Sequence, residues 1–446
     1  MTRRIIVALL KFMLRVYFRR VEVVGEENVP SKSPVIFVLN HPNGLVDPAF
    51  LLCLAPRPVS FLAKAPLFRM PVLSYFVRAL DSLPVYRRQD EGEDVTRNLE
   101  TFAAARRLLA SGGTIAICPE GVSHNEPRLR PIKTGTARIA LGAVSTGDVL
   151  ELSIIPTGLY YTSKTSFRSG ALLHFGKPIS VTPVEIDPDG NPSRIAVREL
   201  SDLIERALRE VMLDAEHEEA LHTIMQAERI FSSGNPATRE SLAQELQLQQ
   251  SFVKAYSVLR ERVPERIHRL EVRMNRFEEE LRMVGMDTDD LSPPSSTVAV
   301  FSHLITRTLL FLLLLGPALV GTLIHYPAYR LGGYLAMRFS QNSDDVVSTI
   351  KIISATLLFP LTWLIVAGVV YQFFGWAIAL AILLVQPALG YVAVRFFEEL
   401  DAFLGGLRAL AFFLTRRRFF VRLLAERNAI RHEILTLGDE AAVATQ

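Results

Sequence analysis

Cysteine is nearly absent. Cys53 and Cys118 are the only two in 446 residues, which excludes a disulfide framework. They carry no metal-ligand spacing, so no metal is expected, and a reducing compartment is the default. An excess of charge is missing as well. With 49 Lys and Arg against 46 Asp and Glu, the net charge of +3 leaves no basic footprint for nucleic acid. No internal repeat or low-complexity tract is evident. A secretory signal is not expected either: the apolar run Ile5 to Leu10 stops at Lys11, and no small-residue cleavage site follows.

What is present is organised in blocks. Residues 1–20 read as an amphipathic helix, with Arg4, Lys11 and Arg15 on one face and Ile6, Leu9, Met13 and Val16 on the other. That pattern suits either a membrane interface or packing on the protein's own domain. Residues 21–185 alternate short apolar strands with helical stretches, which predicts an α/β domain. Residues 193–285 are charged, glycine-poor and helical, restarting near Pro236 and Pro264. The stripe Leu270, Met274, Phe277 and Leu281 calls for a partner surface, expected in the α/β domain or the membrane part. Residues 286–298 read as a linker.

The apolar excess is concentrated in 299–400. From Ile352 to Val394 no charged residue occurs across 43 positions. As one helix this would run about 65 Å, twice a ~30 Å hydrocarbon core. It is therefore expected to form a hairpin of two spans, 352–371 and 376–394, turning near Gln372 to Trp376. The earlier segment 308–329 is long enough for one span, but Gly316-Pro317 interrupts it, so it reads as a span or a re-entrant segment. Arg307, Arg330 and the basic tail 401–446 (Arg416 to Arg418, Arg422, Arg427) place these ends, and the α/β domain with them, on the cytoplasmic face of an integral membrane protein.

The stretch Val38-Leu39-Asn40-His41-Pro42-Asn43-Gly44-Leu45-Val46-Asp47-Pro48 leaves a buried strand through an Asn-Gly turn and restarts at a helix. Asp47 suits a helix N-cap with Pro48 at the first helical position. It also suits a carboxylate that holds one nitrogen of His41 and leaves the other as a base. Further polar groups lie at strand ends: Arg87 with Arg88, then Glu120-Gly121, with Lys133 soon after. A base, a carboxylate and cations at the carboxyl ends of strands suit a phosphate-bearing alcohol. Three similar-looking motifs fail. Gly121-Val122-Ser123-His124 lacks the second glycine of a nucleophile elbow. His217 and His222 are five apart and not on one helix face. Gly170 to Lys177 has one residue too many for a P-loop, and Pro178 where Ser or Thr belongs.

Together, Asn40-His41…Asp47-Pro48, Leu83-Pro84-Val85-Tyr86-Arg87, Cys118-Pro119-Glu120-Gly121-Val122-Ser123-His124 and Ile155-Pro156 resemble the four blocks of the glycerophospholipid acyltransferases. That superfamily contains the glycerol-3-phosphate and lysophosphatidic acid acyltransferases. The order and gaps agree over about residues 20–185. Five residues separate His41 from Asp47 where the family usually has four, and Cys118 stands where phenylalanine usually opens the third block. The wording is closer to the fungal-type glycerol-3-phosphate/dihydroxyacetone-phosphate branch, and Gly44 can absorb the extra residue in a bulged turn.

The resemblance implies an α/β acyltransferase domain followed by a helical segment and a C-terminal membrane hairpin. It implies His41 as general base, Asp47 as its orienter, and Arg87, Glu120 and Gly121 as substrate-binding positions. Arg88 and Lys133 join these on charge and proximity. The implied reaction moves a fatty acyl group from acyl-CoA or acyl carrier protein, a co-substrate thioester with no further cofactor, to glycerol 3-phosphate or dihydroxyacetone phosphate. Lysophosphatidic acid is the alternative acceptor, and membrane lipid the expected surroundings. A reading of another class is a catalytically inactive lipid-binding membrane protein.

Overall fold

Strand β2 (Val35–Leu39) is buried at all five positions. Val35, Phe37 and Leu39 join Phe18, Phe50 and Phe175 in one core, and Ile36 and Val38 join Leu109, Ile115 and Leu208 in another. A strand covered on both faces reads as an unbroken apolar run rather than an alternation. The computed structural model describes residues 2–90, 92–188, 190–215, 218–233, 241–291, 297–340 and 344–445. The chain divides into two compact units. The first is Met1–Glu218 with Ser241–Leu246 and Ser340–Ile352; the second is Glu219–Glu240 with Gln247–Phe339 and Ile353–Gln446.

The first unit is a mixed α/β sheet. Besides β2 it contains β1 (Arg20–Val24), β3 (Ser60–Lys64), β4 (Leu83–Val85), β5 (Thr114–Ile117), β6 (Ser153–Tyr161), β7 (Gly170–Phe175) and β8 (Ile179–Ser180), in the order β1-β7-β6-β2-β5-β3-β4 with β8 on β6. Neighbours are parallel except β6 with β7 and β6 with β8. Val38 is in register with Ile117 of β5 and Pro156 of β6. The turns leaving β2 and β5 therefore meet at one edge of the sheet, where open α/β sheets bind ligands, and β6 runs on past them to Tyr161.

One face is covered by α1 (Thr2–Tyr17) and α2 (Val46–Leu54), the other by α4 (Asn98–Ala110), α5 (Gly135–Ser145) and α6 (Arg194–Val211). The short α3 (Leu73–Ala79) lies between β3 and β4. Helix α6 thus belongs to the sheet, and the α/β domain extends past 185. Its residues Val197, Ile204, Leu208 and Val211 fall on one buried face. Strand β4 stops three residues short of Arg88 because the Asn98 side chain takes both backbone groups of Tyr86, accepting from its N–H at 2.9 Å and donating to its carbonyl at 2.7 Å. Helix α1 packs on its own domain along one side and leaves an apolar stripe exposed on another. Ile6, Leu14 and Tyr17 are buried on the domain, while Ile5, Leu9, Phe12 and Val16 form an exposed apolar stripe at helical spacing.

In the second unit the stripe on α9 (Pro264–Met283) packs on α12 (Arg417–Thr445): Ile267, Leu270, Met274, Phe277 and Leu281 share a core with Phe420, Leu423, Ile430, Ile434 and Leu437. Arg273 adds ion pairs to Glu426 at 2.5 Å and Glu433 at 3.1 Å. The partner of the Leu270–Leu281 stripe is therefore the basic tail, whereas α6 at the start of the helical segment folds back on the α/β domain. Helix α7 (Glu218–Ser232) and α8 (Leu242–Arg262) complete the segment. The expected restart near Pro236, His217 and linker positions 292–296 lie outside the described residues.

Among the described residues, two helices are long and apolar enough to cross a membrane, α10 (Thr297–Phe339) and α11 (Asp344–Thr415). Helix α10 runs unbroken through Gly316-Pro317, where a re-entrant turn was one expectation. Helix α11 is interrupted by Gly375 (φ 78°, ψ 177°), at the turn expected between two spans. The limbs on either side touch through Gln386 Nε2, which donates to the Trp363 carbonyl at 3.2 Å. His325 of α10 accepts from Trp363 Nε1 at 2.8 Å, and its Nδ1 donates to the Gly321 carbonyl at 2.7 Å. Arg307, a topology signal in the sequence, is paired with Glu399 at 2.8 Å.

Candidate active site

The polypeptide leaves β2 at Asn40, whose side chain bonds both backbone groups of Leu159 on the neighbouring strand, at 3.0 and 2.7 Å. That fixes where the turn starts. His41 follows, 19% exposed at its side chain, and its Nδ1 lies 2.9 Å from Asp47 Oδ2. The same oxygen accepts the Asn43 backbone N–H at 2.7 Å, and Oδ1 accepts the Tyr161 hydroxyl at 2.6 Å. Three donors thus surround a fully buried carboxylate. Asp47 is not the N-cap of α2. Leu45 holds that position, with no side-chain cap, because the carboxylate is turned back to His41 and Asn43. The five-residue spacing closes through Gly44, whose φ of 43° is left-handed.

In a neutral imidazole, donation by Nδ1 to a carboxylate leaves Nε2 as the nitrogen that can accept a proton. Tyr161 stays a donor, since burial and then the Asp47 charge push its phenol well above the ordinary range. The same influences act on Cys118, where burial first, then Asp47 and Glu120, push the thiol well above its usual range.

The turn after β5 carries Glu120, 4% exposed. Its Oε2 meets His124 Nε2 at 2.5 Å and accepts the Arg130 backbone N–H at 2.9 Å. The two turns are tied by the His124 backbone N–H, which donates to the His41 carbonyl at 3.2 Å. Glu120 Oε1, His124 Nδ1 and Asn43 Oδ1 are buried and meet no donor or acceptor in the described structure. Acceptors left unpaired beside the His41–Asp47 pair suit a ligand that brings hydroxyl donors.

Arg87 spends its fork within the protein. It binds Asp90 in bidentate fashion, at 2.8 and 2.6 Å, and donates to the Gly121 carbonyl at 2.6 Å. The Asp90 carboxyl is held below its ordinary range by that hydrogen bond, with further help from the Arg87, Lys64 and Lys133 charges. Gly121 has φ 75°, and the Lys133 side chain lies where a Cβ would sit, with Nζ 2.5 Å away. Lys133 and Arg88 are exposed. The structure therefore gathers Arg87, Gly121, Lys133 and Lys64 around Asp90, and His41, Asp47 and Glu120 around the adjoining turns.

Two families match this chain. Residues 20–160 match the Acyltransferase family, and residues 223–442 match the Glycerol-3-phosphate acyltransferase 2 C-terminal domain. The chain thus carries an acyltransferase domain, followed by a second region similar to the C-terminal domain of glycerol-3-phosphate acyltransferase 2. An uncharacterized acyltransferase of Schizosaccharomyces pombe is 24% identical over 87% of this chain and 73% of its own length. Glycerol-3-phosphate O-acyltransferase 2 of Saccharomyces cerevisiae is 26% identical over 60% of this chain and 37% of its own length. Glycerol-3-phosphate O-acyltransferase 1 of the same yeast is 32% identical over 34% and 20%. The chain thus spans well under half the length of either named yeast enzyme.

Sequence reading missed four residues of this acyltransferase site. Tyr161 and Lys64 lie within the strand-and-helix alternation of residues 21–185, with nothing local to mark them. His124 read as part of a failed elbow, although its position four residues after Glu120 was the available signal. Lys164 gave no signal at all. It sits in the loop after β6, where burial lowers its ammonium below the ordinary lysine range against the opposing pull of Asp47, Asp345, Asp344 and Glu120.

Proposed function

We propose that the chain transfers a fatty acyl group from an acyl thioester, carried by coenzyme A or acyl carrier protein, to glycerol 3-phosphate or dihydroxyacetone phosphate at a membrane surface. The observation that carries this reading is the His41–Asp47 bond at 2.9 Å, which supports Nε2 as the base, beside the unpaired buried oxygen of Glu120. His41 Nε2 takes the proton of an acceptor hydroxyl as that oxygen attacks the thioester carbonyl. The tetrahedral oxyanion collapses, the C–S bond breaks, and the thiolate leaves with the proton returned by His41. When the acceptor is glycerol 3-phosphate, its second hydroxyl donates to Glu120 Oε1. Lys64, Lys133 and Arg88 meet the phosphate, and a phosphate that reaches the Arg87 fork does so by displacing Asp90.

General-base catalysis accounts for ~10²–10⁴-fold, with positioning and oxyanion stabilisation supplying the rest. The exposed stripe of α1 rests in the bilayer interface, the α11 hairpin anchors the chain, and the catalytic unit faces the cytoplasm. The test is acyl transfer by the purified protein to glycerol 3-phosphate, dihydroxyacetone phosphate and lysophosphatidic acid side by side. His41→Ala is expected to lose ~10²–10⁴-fold in kcat. Equal turnover by wild type and variant sinks the reading, and preference for lysophosphatidic acid moves it to the alternative acceptor.

A further inference from the structure

The catalytic turn is held by residues three hundred positions away. The first turns of α11, Asp344 to Ile352, belong to the α/β unit and not to the unit that holds the rest of the helix. Thr349 Oγ1 accepts the Leu45 backbone N–H at 3.2 Å, so it engages the turn between His41 and Asp47 directly. Asp345 is 5% exposed and accepts the Ser123 hydroxyl, two residues beyond Gly121. A Cβ at Gly44 would lie 2.8 Å from the Asp345 carbonyl oxygen, so the helix backbone packs against the turn itself. Ser348, fully buried, lies between the Tyr17 hydroxyl at 3.1 Å and the Lys164 carbonyl. Lys351 Nζ donates to the Thr165 carbonyl at 2.6 Å. The same few residues thus grip the His41 turn, the Glu120 turn and the loop after β6.

We propose that Thr349 and Asp345 are positioning residues for acyl transfer, which hold the His41 turn and the Glu120 turn at a fixed separation from one helix. This rests on reading His41 as the base. Neither residue touches the reacting atoms. Their effect is on how often His41 Nε2 and the acceptor held by Glu120 are aligned, so it falls on kcat rather than on acceptor binding. A proton removed by a misplaced base is lost steeply with distance, whereas the phosphate contacts around Asp90 are untouched.

The experiment uses the full chain in detergent or nanodiscs. Thr349→Val is isosteric and removes only the acceptor for Leu45; Thr349→Ser keeps it. Thr349→Val is expected to lower kcat about tenfold with the acceptor KM within about twofold, and Thr349→Ser to retain wild-type kcat. Hydrogen–deuterium exchange supplies a readout that does not need turnover: the peptide containing Leu45 should exchange about tenfold faster in Thr349→Val and at the wild-type rate in Thr349→Ser. Ser123→Ala, which cuts the Asp345 link, is expected to repeat the kcat pattern and serves if Thr349→Val does not fold. Wild-type kcat and exchange in Thr349→Val overturn the proposal, as does equal impairment of the Ser and Val variants, which assigns Thr349 a packing role. A wild-type protein that acylates none of the three acceptors sinks the general-base reading instead, and the exchange data then decide alone whether Thr349 holds the turn.

Discussion

Tyr161→Phe isolates one bond of the catalytic cluster without touching His41 or Asp47. The phenol donates to Asp47 Oδ1 at 2.6 Å, and both side chains are buried, Asp47 completely. Asp47 Oδ2 already receives His41 and Asn43, so the variant leaves Oδ1 with no donor. The space vacated by one oxygen atom is too small for a water, which needs ~10–15 Å³ of probe-occupied volume. The cost is that of a hydrogen bond to a charged group, ~1.5–3 kcal/mol. For a unit of this size that lowers the melting temperature by about 3–12 °C, at ~2–4 °C per kcal/mol. Freed of its third donor, the carboxylate gains rotation about its Cβ–Cγ bond and orients His41 for less of the time. A decline in kcat of about tenfold is expected, with acceptor KM unchanged. Thermal unfolding of the detergent-solubilised protein and steady-state kinetics measure both. A variant with wild-type melting and turnover refutes the claim that Tyr161 supports the pair.

Gly44→Ala places a side chain at φ 43° and 2.8 Å from the Asp345 carbonyl oxygen; it is expected to cost ~1–2 kcal/mol from backbone strain alone, to be read as a lowered melting temperature with impaired turnover. His174 is held below its ordinary value of 6.5 by burial, against a bond to the Val211 backbone. The unfolded chain therefore takes up the proton first as pH falls, so stability present above pH 6.5 is lost as pH drops through the folded value. Melting temperature should fall more between pH 7 and pH 5 in wild type than in His174→Gln, and parallel curves contradict this. Burial raises the Cys53 thiol to about 11, opposed by Lys11, and pushes the Cys118 thiol well above its usual range, so the native protein should resist maleimide while the denatured chain takes up two equivalents by intact mass. Rapid native labelling of Cys118 would contradict its placement.

Much of the α/β unit was legible because its signals are local. Buried runs such as Val35–Leu39 and Thr114–Ile117, and the polar residues at their ends, mark strands and turns without reference to anything distant. Gly375 was legible too, since 43 uncharged positions exceed one bilayer crossing. What could not be read depends on tertiary choice. Asp47 satisfies both a cap pattern and a dyad pattern, and only the position of Tyr161, 114 residues on, decides where its oxygens point. Helix α6 has an amphipathic stripe like that of α9, yet one packs on the sheet and the other on α12, because a stripe states the need for a partner and not its identity. Arg87 looked like a phosphate ligand, but Asp90 three residues later takes the fork first. The role of Asp345 and Thr349 has no local signature whatever, since they sit at the start of an apolar helix.

The bond from Leu45 to Thr349 spans 304 residues, and that from Ser123 to Asp345 spans 222. On the ribosome this separation becomes a delay. At ~5–20 residues per second, roughly 15–60 s pass between emergence of the His41 turn and synthesis of Thr349. Throughout that interval the strands and most of both cores can assemble, while the turn that bears the base lacks its last hydrogen-bond acceptor. The site is completed only when the first turns of α11 are made, so the nascent chain reaches its working geometry as it commits to the apolar helix that follows. A fragment ending at residue 218 would be in the same position permanently: able to build the sheet, and without the piece that closes it.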